Sequence, residues 1–277
     1  CVALKVYDLY QIPYVITEHS SLFAQGKVND AQKNISNVAV MGAKARLAVS
    51  VEFASLLNRF YADQSCIWQY VPNIVNESFL NFPLEMNNTS EKFIFVNVAF
   101  HTEIKAIGSL IKSFAIAFAG SLNVTLQLVG DGPEQERLRQ LSSQLGVSKQ
   151  VVFLGARKRQ EVLETVAAAN AFVLSSRYET FGVVIVEALA LGKPVVATRC
   201  GGPESIISNE DGILVDVDDV DALADAMLDV YTNYSNYHSE GIRQRCLERF
   251  GEEAVTTQLK MVYDGVLLAQ KSMCVNS

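Results

Sequence analysis

Two glutamates, Glu179 and Glu187, lie eight residues apart where a polar loop runs into a predicted helix. Glu187 is the only charged residue in the otherwise apolar run from Gly182 to Leu191. A helix that is apolar on all sides is normally buried, and a buried carboxylate without a partner is strongly destabilising. We therefore expect Glu187 either to bind a ligand or to pair with a lysine or arginine elsewhere in the chain.

The start of the same predicted helix suits a phosphate group. Gly182 lets the chain approach a ligand closely, and the first amides of a helix are unpaired and carry the positive end of its dipole. We expect Phe181, Gly182 and Val183 to surround such a group. Glu187 lies about 7.5 Å further along the helix axis, which is roughly the distance from a diphosphate to a ribose. Glu187 could accept hydrogen bonds from ribose hydroxyls, while Glu179 could reach the group at the other end of the diphosphate.

Short apolar segments of strand length alternate with helical segments from residue 93 onward. The predicted strands are 93–98, 124–129, 151–154, 171–175, 194–198 and 212–215, and the predicted helices are 104–119, 134–145, 160–169, 182–191, 203–208 and 219–233. Such alternation predicts a parallel sheet covered by helices on both faces. Further helical segments are predicted at 236–249 and 252–270. The first 72 residues form a separate predicted unit, with strands at 13–17, 47–50 and 67–71 and helices at 35–45 and 51–61.

Several motifs occur in an order and at a spacing that are typical of one family. They are Val129-Gly130-Asp131-Gly132-Pro133, Val152-Phe153-Leu154-Gly155, Glu179-x7-Glu187, Gly192-Lys-Pro-Val-Val-Ala-Thr, Gly201-Gly202-Pro-Glu204 and Gly212-Ile-Leu-Val215. Together they resemble the C-terminal signature of the retaining glycosyltransferases of family 4, whose fold is named GT-B. The resemblance is close over residues 93–232 and looser over residues 1–92.

The resemblance implies an α/β chain of the GT-B type. Its donor domain is a Rossmann-like, doubly wound parallel sheet, and its second Rossmann-like domain is expected to be truncated. On this pattern, residues 1–72 are the C-terminal part of the acceptor-binding domain and residues 73–92 are the hinge. Residues 93–250 are the nucleotide-sugar domain, and residues 251–277 are a helix that crosses back to the first domain. The chain begins at Cys1 with element-like sequence, so we expect it to be a piece of a longer protein.

The resemblance also implies roles for individual residues. In the family, the second glutamate contacts the nucleotide ribose and the first contacts the donor sugar; these are Glu187 and Glu179 here. Lys105 matches one member of the basic pair that holds the diphosphate, whereas Phe100 stands where the family has an arginine. His19, after a predicted strand, matches a histidine that faces the donor sugar.

The predicted site therefore has a catalytic and a binding part. The catalytic residues are His19, Lys105 and Glu179, and the nucleotide-sugar-binding residues are Gly130, Gly132, Phe181, Gly182, Val183 and Glu187. The residues alone also allow plainer interpretations: Lys105 as a solvated lysine, His19 as a buried histidine and the glycines as turn residues. Arg177 and His101 are the candidates to replace the arginine that Phe100 displaces.

Composition and charge argue against other classes of protein. The 277 residues include 23 Lys+Arg and 30 Asp+Glu, and the net charge of −7 disfavours a general nucleic-acid binder. No apolar run reaches the roughly 18 residues of a membrane span. Asp216-Val-Asp218 imitates a metal-binding motif, but aspartates just before a predicted helix cap its end. We expect no metal cofactor, because helix amides and cations can neutralise a leaving diphosphate.

Through the resemblance, we expect a retaining glycosyltransferase of bacterial surface polysaccharide synthesis. It would move a sugar from a nucleotide-sugar donor to a hydroxyl of a glycan or lipid-linked acceptor, in the cytoplasm and in peripheral contact with the inner membrane surface. The alternative from another class is a nucleotide-sugar-binding module without turnover. A Rossmann oxidoreductase is disfavoured, because no Gly-x-Gly-x-x-Gly follows a first strand.

Overall fold

The computed structural model describes residues 2–61, 66–84 and 92–275, and these form two compact units. The first unit runs to Ile74 and also contains the residues from Phe250 onward, and the second is Val75–Arg249. The second unit thus includes most of the segment 73–92 that was expected to be a hinge, and it ends next to residue 250, the expected end of the nucleotide-sugar domain. The assignment of the two units to acceptor and donor stays a prediction.

The first unit contains a three-stranded parallel sheet. Its first elements are α1 (Val2–Tyr10), β1 (Val15–Glu18), α2 (Asp30–Gly42), β2 (Ala45–Ala48), α3 (Val51–Tyr61) and β3 (Trp68–Tyr70). The strands lie in the order β1-β2-β3, with Val15 opposite Ala45 and Arg46 opposite Trp68. All four residues of β2 are buried, as expected for a central parallel strand whose two faces are both covered.

The second unit is built on a six-stranded parallel sheet. The elements from residue 77 to residue 250 are α4 (Glu77–Leu80), β4 (Phe93–Val98), α5 (Ile107–Phe118), β5 (Val124–Val129), α6 (Gln135–Gln144), β6 (Val151–Gly155), α7 (Arg159–Ala168), β7 (Ala171–Leu174), α8 (Val183–Ala190), β8 (Val195–Thr198), β9 (Gly212–Val215), α9 (Val220–Thr232) and α10 (Ser239–Phe250). Short 3₁₀ turns lie at Glu103–Lys105, Gly202–Ser205 and Tyr234–Asn236. The predicted helix at 203–208 is thus a single 3₁₀ turn.

The strand order of this sheet is β6-β5-β4-β7-β8-β9. The chain moves outward from β4 to β6, returns to the centre, and then moves outward from β7 to β9. Because crossovers between parallel strands are right-handed, α5 and α6 cover one face and α8 covers the other. The order reverses between β4 and β7, and ligands of open α/β sheets bind at the carboxyl ends of the strands beside such a reversal.

A continuous apolar core holds the sheet to α5 and α9, which pack against each other. Leu126 and Leu128 of β5 contribute to it from the sheet, Phe114 comes from α5, and Leu223 and Met227 come from α9. All five side chains are almost completely excluded from solvent. Burying large aliphatic and aromatic side chains contributes about 1.5–3 kcal/mol each, so this core fixes the strand ends that carry the candidate site.

Residues 73–92 are predicted to be a hinge, and they contain α4. Phe79 of this helix is fully buried, and the helix contacts α8. Residues 85–91 of that segment lie outside the described ranges. The last helix, α11 (Glu252–Val275), belongs to the first unit, where Val255 packs with Leu47 and Val71. Within the described residues, no helix combines the length and the apolar composition needed to cross a bilayer.

Lys193, just after α8, is a buried lysine whose charge is costly. Only 8% of its surface is exposed, and burial, assisted by Arg243, lowers its pKa from 10.5 to about 8. The charged form is therefore destabilised in the folded protein below pH 8, and the unfolding free energy should rise as the pH increases from about 8 towards 10.5. Lys193→Met is expected to raise the unfolding free energy at neutral pH by about 1–3 kcal/mol, measured by chemical denaturation.

The matched control is Lys149→Met, since Lys149 is exposed in a loop. That variant should leave the unfolding free energy nearly unchanged. Lys193→Met should also flatten the rise above pH 8. A loss of stability at neutral pH on replacing Lys193 would show that its ammonium group makes a net favourable interaction.

Candidate active site

The loops that follow β4 and β7 meet where the strand order reverses. Lys105 ends the 3₁₀ turn after β4, and Glu179 lies in the loop after β7. The Nζ atom of Lys105 lies 2.6 Å from Oε1 of Glu179, and both side chains are partly buried. The structure thus brings two of the three predicted catalytic residues together at the edge of the sheet where a ligand is expected.

Hydrogen bonds within the loop after β7 and between the two loops hold this pair in place. Ser176 Oγ donates to Oε1 of Glu179 at 2.8 Å, and Ser175 Oγ donates to the carbonyl oxygen of Lys105 at 2.9 Å. The amide of Arg177 donates to the carbonyl oxygen of Ile104 at 2.8 Å. Because Glu179 neutralises Lys105, a phosphate that approached the ammonium group would have to share it with the carboxylate or displace the carboxylate.

Glu187 lies inside α8 with 5% of its surface exposed. Its Oε1 accepts a hydrogen bond from Nη2 of Arg159 at 2.6 Å. Of the two roles expected for Glu187, ligand binding or pairing with a basic residue, the structure therefore shows the pairing. Burial raises the pKa of Glu187, and the positive charge and hydrogen bond of Arg159 oppose that shift. In the described part of the chain, Oε2 of Glu187 has no hydrogen-bond partner. The ribose contact stays a prediction.

Two glycines from different loops, Gly182 and Gly202, allow the backbone arrangement at the start of α8. Gly182 caps the helix with φ +109°, a conformation that side chains rarely adopt, and its carbonyl oxygen accepts from the Ile185 amide at 2.9 Å. Val183 is half exposed, whereas Phe181 is buried. A Cβ atom on Gly202 would collide with the carbonyl oxygen of Phe181. The loop after β8 therefore packs directly against the backbone that leads into α8.

Gly130 and Gly132 follow β5 with φ values of +127° and +149°. A Cβ atom on Gly130 would overlap the carbonyl group of Ala99, and one on Gly132 would overlap the backbone of His101. The simple turn interpretation is therefore incomplete, because the close approach of the loop after β4 also requires glycine at both positions. The predicted contact of these glycines with a nucleotide sugar is untested.

The two residues expected to replace the arginine that Phe100 displaces are both engaged in other contacts. Phe100 is 60% exposed. His101 is fully buried, its Nδ1 contacts the side chain of Gln135, and burial lowers its pKa, so this ring is neutral and faces away from solvent. The Nε atom of Arg177 donates to the carboxylate of Asp218 at 3.0 Å. Neither side chain lies free at the surface to take the place of the arginine.

His19 follows β1 in the first unit and is exposed, so its interpretation as a buried histidine is wrong. Its amide donates to Oε1 of Glu18 at 3.0 Å, and the Ser20 amide donates to the same oxygen at 2.7 Å. The other eight candidate residues belong to the second unit. The predicted role of His19 towards the donor sugar stays a prediction.

The Asp216-Val-Asp218 segment interacts with arginines. Asp218 binds Arg177, and Asp216 lies 3.8 Å from Arg199. The helix cap that we expected here is made by the next residue, Asp219, which accepts from the Ala222 amide at 2.9 Å. Within residues 2–61, 66–84 and 92–275, no group of three or more His, Cys, Asp and Glu side chains is arranged to hold a metal ion.

Arg159 is the residue of this site that the sequence analysis missed. It is the first residue of α7, the helix that follows β6, and its guanidinium group also lies 5.2 Å from the ring centre of Phe79. The only available signal was the basic run Arg157-Lys158-Arg159 at a strand end, where ligands of parallel sheets bind.

Comparison with known proteins agrees with this architecture. Residues 77–245 match the family model described as glycosyl transferases group 1. Among curated proteins, the chain is 33% identical over 186 residues to N-acetyl-alpha-D-glucosaminyl L-malate synthase of Bacillus anthracis, covering 66% of this chain and 48% of the relative. It is 35% identical over 166 residues to the lipopolysaccharide core biosynthesis glycosyltransferase LpsE of Rhizobium meliloti, covering 57% of this chain and 43% of the relative. The chain spans about half the length of these relatives.

Solved glycosyltransferase structures share the fold. The crystal structure of Anabaena Alr3699/HepE in complex with UDP and glucose superposes with a TM-score of 0.81 at 21% identity, over 95% of this chain and 75% of that one. Sucrose-phosphate synthase from Thermosynechococcus elongatus superposes with a TM-score of 0.78 at 23% identity, over 97% and 71% of the two chains. The predicted α/β fold of the GT-B type is confirmed. By its sequence over residues 77–245, the chain belongs to the glycosyl transferases group 1 family.

Proposed function

We propose that the second unit binds a nucleotide-sugar donor and that the protein is a retaining, metal-independent glycosyltransferase. The observation that carries this proposal is the meeting of Lys105 and Glu179, 2.6 Å apart, at the reversal of strand order. A cation beside a carboxylate at this edge offers one group for a diphosphate and one for sugar hydroxyls. The start of α8, which carries the positive end of the helix dipole, adds a second source of positive potential.

The proposed arrangement of the donor follows from the positions of these groups. The diphosphate lies against Lys105 and the amides that begin α8, the donor sugar lies at Glu179, and the ribose lies at Glu187. Lys105 and the helix amides stabilise the negative charge that develops on the leaving diphosphate, which is the kind of interaction that contributes most to many enzymatic rates. They do so without a metal ion.

In the proposed transfer, the bond between the anomeric carbon and the diphosphate oxygen breaks. The acceptor hydroxyl oxygen forms its bond to the same carbon on the same face of the sugar, so the configuration is retained. The proton of that hydroxyl passes to an oxygen of the leaving diphosphate. No side-chain nucleophile takes part, and the residues of this chain act by position and charge.

The donor and acceptor classes come from the relatives. A structural neighbour was crystallised with UDP and glucose, and a curated relative acts in lipopolysaccharide core biosynthesis. We propose a UDP-sugar as the donor and a glycan or lipid-linked hydroxyl as the acceptor, in a bacterial cytoplasm at the inner membrane surface. The second candidate is a binding module without turnover, which is favoured by the exposed Phe100 where the resemblance implies an arginine.

The test is a calorimetric titration with UDP, GDP and ADP, in buffer with and without a chelator. We expect one nucleoside diphosphate, UDP first, to bind equally well in both buffers. The corresponding nucleotide sugar is then incubated with lipid-linked glycan acceptors, and the anomeric configuration of the product is determined by NMR. Binding without transfer to any acceptor would favour the binding module, and a failure of all three nucleotides to bind would overturn the proposal.

A further inference from the structure

Arg159 pairs with the buried carboxylate of Glu187 and is itself exposed at the surface of the second unit. Its Nη2 atom lies 2.6 Å from Oε1 of Glu187, yet 56% of the Arg159 side chain is exposed against 6% of the Glu187 side chain. One guanidinium nitrogen is thus engaged with Glu187, while more than half of the Arg159 side chain remains open to solvent. A ligand that reached Glu187 from solvent would meet this guanidinium group.

Contacts from several elements hold the arginine in this position. It is the first residue of α7, and the turn before it is fixed because Glu161 accepts from the Lys158 amide at 2.9 Å. The fully buried ring of Phe79, in α4, lies under the guanidinium group at 5.2 Å, within the range of a cation–π interaction. Arg159 is therefore fixed from both sides before any ligand binds.

Other charged or titratable groups lie around α8, but among the described residues only Arg159 hydrogen-bonds to the Glu187 carboxylate. Around the helix these groups are Glu161 of α7, Glu77 of α4, Lys193 after the helix, and Arg243 and Cys246 of α10. Arg243 donates to the Ala190 carbonyl oxygen at 2.6 Å, and burial raises the pKa of Cys246 to about 12, so that thiol is neutral. Strands β7 and β8, which also contact α8, carry no charged residue. Burial raises the pKa of Glu187, and among the charged groups of the described residues Arg159 is the one that opposes this shift.

We propose that Arg159 is a positioning residue of the nucleotide site: it keeps Glu187 ionised and fixes Oε1, so that Oε2 is left to accept a hydrogen bond from the ligand. This inference rests on the proposed function, because it takes the ligand of Glu187 to be the ribose of a nucleoside diphosphate. The residue acts through Glu187, and it was not implied by the family resemblance.

The opposing effects of burial and Arg159 on the pKa of Glu187 determine how nucleotide binding should change with pH. Burial raises the pKa of Glu187, and Arg159 lowers it. Without Arg159, the carboxyl group should therefore protonate at a higher pH. A protonated carboxyl has less capacity to accept hydrogen bonds, so nucleotide binding should weaken as the pH falls and recover as it rises.

The first experiment measures the Kd of UDP by calorimetry across about pH 5.5–8.5 for the wild type and three variants. Arg159→Ala should bind UDP about tenfold more weakly at the acidic end than at the alkaline end, relative to the wild type, since a shift of one pKa unit corresponds to a factor of ten. Arg159→Lys should restore much of the wild-type profile. Arg157→Ala removes the same charge two residues away, where the side chain pairs with Glu161, and should follow the wild type.

A second measurement needs no nucleotide. The carboxyl carbon of Glu187 is titrated by NMR in protein labelled with ¹³C at glutamate, with the resonance identified by its loss in Glu187→Gln. Its midpoint should move to higher pH in Arg159→Ala and stay in place in Arg157→Ala. An unmoved midpoint, or an affinity loss that is the same at every pH, would overturn the inference. If the wild type binds no nucleoside diphosphate, the proposed function fails, and the carboxyl titration still decides whether Arg159 controls Glu187.

Discussion

Glu187→Gln is expected to weaken UDP binding by about 1.5–3 kcal/mol, the range for hydrogen bonds to charged groups. Glutamine keeps the shape of the side chain but removes the negative charge that ribose hydroxyls would bind. Calorimetry at neutral pH measures the change. Circular dichroism should show an intact fold, because ionised Glu187 is itself destabilised by burial: its pKa is raised in the folded protein.

The control for this variant is Glu164→Gln. Glu164 is exposed on α7, where it accepts from the side chain of Gln160 at 2.9 Å. Its replacement removes the same charge and should leave the affinity for UDP unchanged. Equal affinities of folded Glu187→Gln and the wild type would mean that Glu187 pairs with Arg159 for stability alone.

Lys105→Ala is expected to reduce the affinity for UDP by about 1.5–3 kcal/mol and to leave the affinity for uridine nearly unchanged. In the proposed arrangement, the lysine supplies the cation for the diphosphate, and its removal would also leave the Glu179 carboxylate facing the phosphates. Glu179→Gln should have the opposite effect on UDP, because it frees the ammonium group that Glu179 holds at 2.6 Å. Both changes are measured by calorimetry with the two ligands in parallel.

Lys112→Ala is the matched control, since Lys112 is exposed on α5. It should bind UDP and uridine as the wild type does. Equal losses of affinity for UDP and uridine in Lys105→Ala would contradict a diphosphate role for the lysine. A weaker binding of UDP by Glu179→Gln would mean that Glu179 supports Lys105 rather than competing with the phosphates.

The sheet of the second unit could be predicted from the sequence because its strands are short, apolar and separated by helical patterns. Strands β4, β5 and β9 begin and end at the predicted residues. The first unit was harder. Helix α1 consists largely of valine, leucine and tyrosine, has no buried residue, and carries no signal that separates a helix from a strand. Helix α2 begins five residues before the predicted start, because Asn29 and Gln32 form a capping box in a polar segment.

The candidate site could be predicted as a set of residues but not as a set of contacts. The lone charge of Glu187 in an apolar helix predicted either a ligand or a basic partner. The partner found, Arg159, is 28 residues away, and only the packing of α7 against α8 identifies it. The glycine requirement at Gly130 depends on the position of the Ala99 carbonyl group, which no local pattern encodes. The burial of His101 likewise follows from the tertiary fold.

The most direct test of the central claim is a crystal structure of this chain with UDP bound. We expect the ribose within hydrogen-bonding distance of Glu187 and the diphosphate between Lys105 and the first amides of α8. Nucleotide density anywhere else would contradict it, for example in the surface cleft between α5 and α6 that Lys112 and Arg137 line.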